Sequence, residues 1–102
     1  MDKRLELHEV FCDILGSRNV YFQPPASVIM KYDAIRYCRK NINNFHANNN
    51  VYGQNNVYEV TVIYRDPDSD IPKKISKLPL CQFDRHYSAD NLNHDVFTIY
   101  YH

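Results

Sequence analysis

Asp84, His86, Asp90, His94 and Asp95 lie within one short stretch near the end of the chain. Carboxylates and imidazoles gathered in this way are what a metal-dependent nuclease or hydrolase uses to hold an ion and activate water. Their spacing does not carry the idea further. There is no His-Glu-x-x-His, no three-ligand pattern and no pair of glutamates. On an alternating strand, Asp84 and His86 fall on the side opposite Cys81, Phe83 and Tyr87, where they read as plain solvent-facing residues. Asp66, Asp68 and Asp70 open like a calcium loop, but its sixth position needs Gly and its twelfth Glu. Here those positions hold Ile71 and Lys77, and helix capping accounts for the acids better. Cys12, Cys38 and Cys81 are far apart and form no Cys-x-x-Cys. They read as reduced thiols in the core rather than as a disulfide framework or a Cys-His nucleophile. With only two glycines the chain has no Gly-rich phosphate loop. The residues therefore describe a non-enzyme with no cofactor and no metal.

The bulk numbers narrow the partners. The 102 residues carry 12 basic and 12 acidic side chains, for a formal net charge of zero. That argues against nucleic acid as the main partner, since phosphate binding is largely basic electrostatics. Tyr and Arg on strands could stack single-stranded nucleic acid, but the ribonucleoprotein consensus is missing. No apolar run approaches the ~20 residues of a membrane helix, and no signal peptide is expected from the opening residues. Nine tyrosines and five phenylalanines, with no Trp, suit a sheet that packs on rings and presents polar tips to protein partners. The length suggests one domain with one modest core.

The element that must position everything else is the strand expected over residues 57–65. Tyr58, Val60, Val62 and Tyr64 alternate onto one face; Val57, Glu59, Thr61, Ile63 and Arg65 take the other. The first face is apolar and the second mixed, which predicts a central antiparallel strand with a wet or partner-facing side. Asp66-Pro67-Asp68-Ser69-Asp70 then stops the strand and starts a helix. Upstream, Leu7, Val10, Phe11 and Ile14, with Leu15 beside them, give an amphipathic helix over residues 3–15. Asp2 can cap its start and Gly16 suits its left-handed end. Lys3, Arg4, Glu6, Glu9 and Asp13 take its outer face. Residues 18–23 read as a short strand ended by Pro24-Pro25, and residues 26–30 as an unassigned connector. Residues 31–39 form a second strand with Ile35 and Tyr37 on one side and Ala34 and Cys38 on the other.

Residues 41–56 hold most of the asparagines. Asn favours turns, so this segment reads as a long polar hairpin loop, either an arm that orders against a partner or a loose tip. Ile71, Ile75 and Leu78 stripe a second helix, with Pro72 in its first turn and Pro79 at its end. Residues 80–87 form a strand with Cys81, Phe83 and Tyr87 on one face. Residues 88–93 form a turn, and the Asp and Asn side chains of residues 90–95 are expected to hydrogen-bond the local backbone. The last strand, residues 94–101, puts Phe97, Ile99 and Tyr101 on one side. The chain thus reads as a single α+β domain over residues 1–102 of order α-β-β-β-α-β-β.

Three stretches carry a resemblance. They are Asn19-Val20-Tyr21-Phe22-Gln23-Pro24-Pro25, then Tyr58-Glu59-Val60-Thr61-Val62-Ile63-Tyr64-Arg65-Asp66-Pro67-Asp68-Ser69, and Phe83-Asp84-Arg85-His86-Tyr87-Ser88-Ala89-Asp90-Asn91-Leu92-Asn93-His94-Asp95-Val96-Phe97. With the Leu-rich first helix, they resemble the small tail-completion or tail-terminator proteins of long-tailed bacteriophages and prophages over nearly the whole chain. One departure is that the family pattern carries Tyr-Pro before the second strand, where Tyr32 is followed here by Asp33. The resemblance implies a twisted, mainly antiparallel sheet with two helices packed on one face and a long β-hairpin. It implies a structural virion protein, a homohexameric ring at the head-proximal end of the tail that ends tail-tube polymerisation and joins tail to head. Its partners would be copies of itself, the tail tube protein and a neck or head-completion protein. Genome DNA would pass through the lumen without specific binding. Assembly would take place in the host bacterial cytoplasm, with the protein ending in the virion neck. The alternatives are another neck component, such as a head-closure or connector protein, a small binding domain unrelated to virions, or a metal-dependent hydrolase. Interface candidates are Arg36 and Arg39, paired with acids across the ring, and the hairpin residues Asn43, Asn44, Phe45, His46, Asn48, Asn49, Asn50, Tyr52 and Gln54.

Overall fold

A computed structural model describes the backbone of residues 3–47 and 50–101 and the side chains of residues 4–40 and 57–100. Its elements run α1 (Lys3–Leu15), β1 (Val20–Phe22), β2 (Ala34–Ala47), β3 (Asn50–Tyr64), α2 (Ile71–Ser76), β4 (Cys81–Ala89) and β5 (Leu92–Tyr101). This is the α-β-β-β-α-β-β order read from the sequence, an α+β domain. The sheet is mixed: the strands lie in the order β1-β2-β3-β5-β4, with β1 parallel to β2 and every other pair antiparallel.

The first helix forms because Leu7, Phe11 and Cys12 share one stripe that is buried on the sheet. It ends at Gly16, whose φ of 78° is the left-handed conformation a residue without Cβ adopts freely, and whose N–H bonds back to the Cys12 carbonyl at 2.9 Å. Asp2, the expected cap, lies outside the described residues. Arg4 does not take the outer face expected of it. Its guanidinium lies 4.3 Å from the Phe22 ring centroid and donates to the Tyr37 hydroxyl at 3.2 Å, because its long stem reaches over apolar rings while the charge finds a polar tip. Before α2, the Ser69 hydroxyl accepts the Ile71 N–H at 3.3 Å, while Asp70 makes no side-chain cap bond. Asp66 accepts the Asp68 N–H at 2.9 Å in a local turn.

Both helices bury into one core on one face of the sheet. Leu7, Phe11 and Cys12 of α1 and Ile75 of α2 meet Val20, Ile35, Tyr37, Tyr58, Val60, Val62, Tyr64, Phe97 and Ile99. The alternation read for the central strand holds on this face, since Ile35 pairs with Val62, Tyr37 with Val60, Val60 with Phe97 and Tyr58 with Ile99. The rings of Phe11, Phe22, Tyr37 and Tyr58 pack at tilted or edge-to-face angles with centroids 4.9–6.4 Å apart.

The opposite face corrects the expectation of a wet side. Val57, Thr61 and Ile63 are buried there with Ala34 and Val96, and Glu59 is half-buried. β1 and β2 are parallel. Parallel neighbours need a crossover, and residues 23–33 supply it on the side away from the helices. The Tyr21 hydroxyl, on that side, accepts the Lys31 N–H at 3.1 Å, and Asp33 accepts the Arg65 N–H at 3.1 Å. The chain enters β2 through a cis Tyr32–Asp33 peptide bond.

Two expectations about turns also change. Residues 41–47 and 50–56 are strand rather than loop: β2 and β3 keep pairing from Ala34 opposite Ile63 out to Ala47 opposite Asn50, with irregularities between Arg39 and Asn41 and between Phe45 and His46. Asn's local preference yields to a ladder already started in the core. The principal extents of 49 × 24 × 23 Å and a radius of gyration of 14.6 Å, against about 13 Å for a compact chain of this length, reflect that projecting hairpin. The turn before the last strand shrinks to Asp90 and Asn91, with φ of 53° and 64°, the two left-handed positions of a tight hairpin turn. The strands therefore run on to Ala89 and start again at Leu92.

Candidate functional site

The acidic and histidine stretch is divided by one extra residue. Phe83 pairs with Phe97 but Arg85 pairs with Val96, so β4 bulges at Asp84. A one-residue bulge reverses the alternation beyond it. Tyr87, expected beside Phe83, therefore lies on the other face, stacked on His94 at 4.6 Å and 13°. His86, expected to face solvent, comes to the helix side and bonds through Nδ1 to Asp95 Oδ1. The buried Asp95 carboxylate also accepts the Tyr64 hydroxyl at 3.1 Å, and burial with the nearby Asp95 charge pushes the Tyr64 hydroxyl up to about 12. Asp84 pairs with its exposed neighbour Arg85 at 2.9 Å, and Asp90 belongs to the turn. The five residues thus divide between two faces and a turn. Among the described residues no three His, Cys, Asp or Glu side chains converge as metal ligands. The His86–Asp95–Tyr64 group is a cross-strand clasp that ties β4 and β3 to β5 at the end of the sheet.

Burial disfavours the thiolate form of all three cysteines. Burial pushes Cys81 up to about 11 and raises Cys12 and Cys38 as well, so each stays protonated at neutral pH, whereas reactive cysteines are thiolates. Cys12 lies in the core, while Cys38 and Cys81 are half-buried.

Arg36 and Arg39 are not brought together. Being three residues apart on a strand, they point to opposite faces. Arg36 pairs with Thr61 on the helix-free side, and Arg39 with Tyr58 on the helix side, its guanidinium 5.9 Å from that ring's centroid. No single surface presents both. The hairpin candidates Asn43, Asn44, Phe45 and His46 lie in the backbone ladder opposite Asn55, Gln54, Gly53 and Val51, and Asn50, Tyr52 and Gln54 lie in β3. Asn48 and Asn49 lie outside the described residues.

Two apolar features were missed by sequence reasoning. In the crossover, Val28 is 39 % exposed and Ile29 92 % exposed; the Val28-Ile29-Met30 run was the signal, in a connector without periodicity. On the other side of the molecule an apolar cavity of ≈ 360 Å³ opens between α1 and the β4–β5 end of the sheet, lined by Leu7, Val10, Leu78, Pro79, Leu80 and Ile99. Leu80 is 56 % exposed at a φ of 56°, a left-handed conformation that Leu rarely adopts. The outer edge, β4, is exposed along most of its length, and its bulge and the Asp84–Arg85 charges blunt it against strand addition.

No family model, curated protein or solved structure matches this chain. No helix among the described residues is long and apolar enough to cross a membrane.

Proposed function

We propose that this chain is a structural, non-enzymatic phage virion subunit that closes with copies of itself into a ring, of six by the family resemblance, at the head-proximal end of the tail. There it ends tail-tube polymerisation and joins tail to head. The observation that carries this reading is the projecting hairpin. The β2–β3 ladder continues past Phe22 opposite Tyr37, where β1 stops, and past Asn56 opposite Tyr101, where β5 stops. A two-stranded ribbon alone in water is marginal, so a ladder built that far beyond its core is suited to lie against another subunit or the tube. Heterologous, head-to-tail contacts close into rings when the rotation allows, and the zero net charge fits partners that are proteins. The tail tube protein would meet one side of the ring and a neck or head-completion protein the other, with genome DNA passing through the lumen.

Electron microscopy of lysates from a phage or prophage lacking this gene tests the role. Overlong tails of irregular length beside filled, separate heads are the expected result. Tails of normal length beside unjoined heads would move the protein to a connector or head-closure role. Intact infectious particles would remove it from the neck.

A further inference from the structure

We infer that the helix-free face of the sheet binds a small zwitterion, an α-amino acid, in the niche lined by Arg36 and Glu59. Arg36 and Cys38 alternate along β2 and lie opposite Thr61 and Glu59 of β3, so the four side chains form a square on one face. Gln23 and Pro24 wall one side of it, around a cavity of ≈ 230 Å³. That wall is fixed to the sheet. Gln23 turns the chain at a φ of 45°, its N–H donates to the Tyr37 carbonyl at 2.9 Å, and its side-chain oxygen accepts the Arg39 N–H at 3.0 Å. The niche is thus a preformed hollow with a few convergent polar groups, the usual build of a small-molecule site. A cavity of ~150 Å³ takes a benzene molecule, so this one has room for a small amino acid.

The polar groups point to the chemistry of the ligand. Thr61 is 3 % exposed and Glu59 is half-buried, yet among the described residues neither side chain makes a hydrogen bond or ion pair, and neither does Arg36. Buried polar groups normally have partners, and these three share one niche. Arg36 and Glu59 are diagonal neighbours, about 7–8 Å apart on the sheet, and do not close on each other. The Glu59, Arg36 and Lys40 charges all reach the Cys38 thiol, so both signs are present around the hollow. A lone anion on Arg36 would face the Glu59 charge, and a lone cation on Glu59 would face Arg36. A neutral molecule would leave both charges unpaired. A molecule carrying both signs satisfies the set. Its carboxylate takes the guanidinium fork, its ammonium donates to the Glu59 carboxylate, and the Thr61 hydroxyl bonds to either group.

Titration of the nitrogen-labelled full chain with L-alanine, followed through amide chemical shifts, tests the site. Saturable shifts centred on Cys38, Glu59 and Thr61 are expected, with a Kd of about 0.1–10 mM. Acetate and ethylamine each carry one of the two charges and should bind at least about tenfold more weakly. Glu59→Gln should weaken alanine by about tenfold and strengthen acetate, because the repelling charge is gone. Arg36→Gln should weaken alanine likewise and strengthen ethylamine. Neither side chain has a partner to lose among the described residues, and urea unfolding of each variant checks that the fold is kept. Acetate that shifts the same amides as strongly as alanine would make the niche a plain anion site and overturn the zwitterion. No saturable shift, or an alanine affinity unchanged in both variants, would overturn the site and leave Arg36 and Glu59 as ordinary surface charges. None of these outcomes bears on the neck role, which the deletion lysates judge separately.

Discussion

Around Tyr37 and Val60 the β2–β3 ladder has β1 on one side, β5 on the other and α1 above it. Beyond Tyr101 opposite Asn56 the same two strands continue toward Ala47 and Asn50 with neither neighbour beside them. The inner half is held by buried rings and aliphatic side chains, and the backbone pairing runs on through the outer half. The contrast teaches that one hairpin has two environments: its root is the core of the domain, and its far end, on the function proposed above, is the part that would serve assembly. Changes at the root should therefore act on folding, and changes at the far end on assembly.

The largest effect is expected from Phe11→Ala. Phe11 is fully buried against Tyr37, with centroids 5.1 Å apart, and truncation should cost about 3–5 kcal/mol in denaturant unfolding. A cost below ~1 kcal/mol would mean that α1 does not roof the sheet. Next comes Asp95→Ala, which leaves the Tyr64 hydroxyl without its acceptor and releases His86. A loss of about 1–3 kcal/mol is expected, with little effect on association. Tyr58→Phe has the opposite sign. The Tyr58 hydroxyl is buried with no hydrogen-bond partner among the described residues, so removing it should leave stability unchanged or raise it by about 0.5–1 kcal/mol. A marked loss would reveal an acceptor at that oxygen.

The smallest effect is a pH dependence at His8, whose Nδ1 lies 2.8 Å from the Tyr37 hydroxyl. Burial, with the Arg4 and Arg18 charges, lowers this histidine below its ordinary 6.5. The unfolded chain then takes up the proton first. The stabilisation is complete above the ordinary value and is lost as pH falls below it toward the folded value. In urea unfolding between pH 7 and pH 5, His8→Gln should flatten part of that decline; an unchanged slope would assign it to other groups.

Much of the fold could be read from residue types because its pattern is local. Tyr58, Val60, Val62 and Tyr64 repeat every second residue, and Leu7 and Phe11 every helical turn, so the core face and both helices were legible. The bulge at Asp84 was not. It is a choice of hydrogen-bond register between two strands, and it exchanges the faces of His86 and Tyr87 without any change in composition. The long hairpin was expected, but the strand pairing of its far part was not, for a related reason: asparagine's turn preference is intrinsic, while its place in a ladder depends on pairing that begins many residues away. The opposite directions of Arg36 and Arg39, by contrast, follow from the two-residue period and were available in the sequence. The Val28–Ile29 tip had apolar character but no periodicity, and the apolar cavity beside Leu80 is assembled from three separate segments.

On the proposed function, the far end of the hairpin serves assembly rather than folding. Replacing residues 41–56 with a tight Asn-Gly turn and following the protein by both urea unfolding and sedimentation velocity tests it most directly. The expected result is a stability change of less than about 1 kcal/mol, together with loss of the concentration-dependent assembly expected of the full chain. A shortened protein that unfolds, or one that assembles as the full chain does, would contradict it.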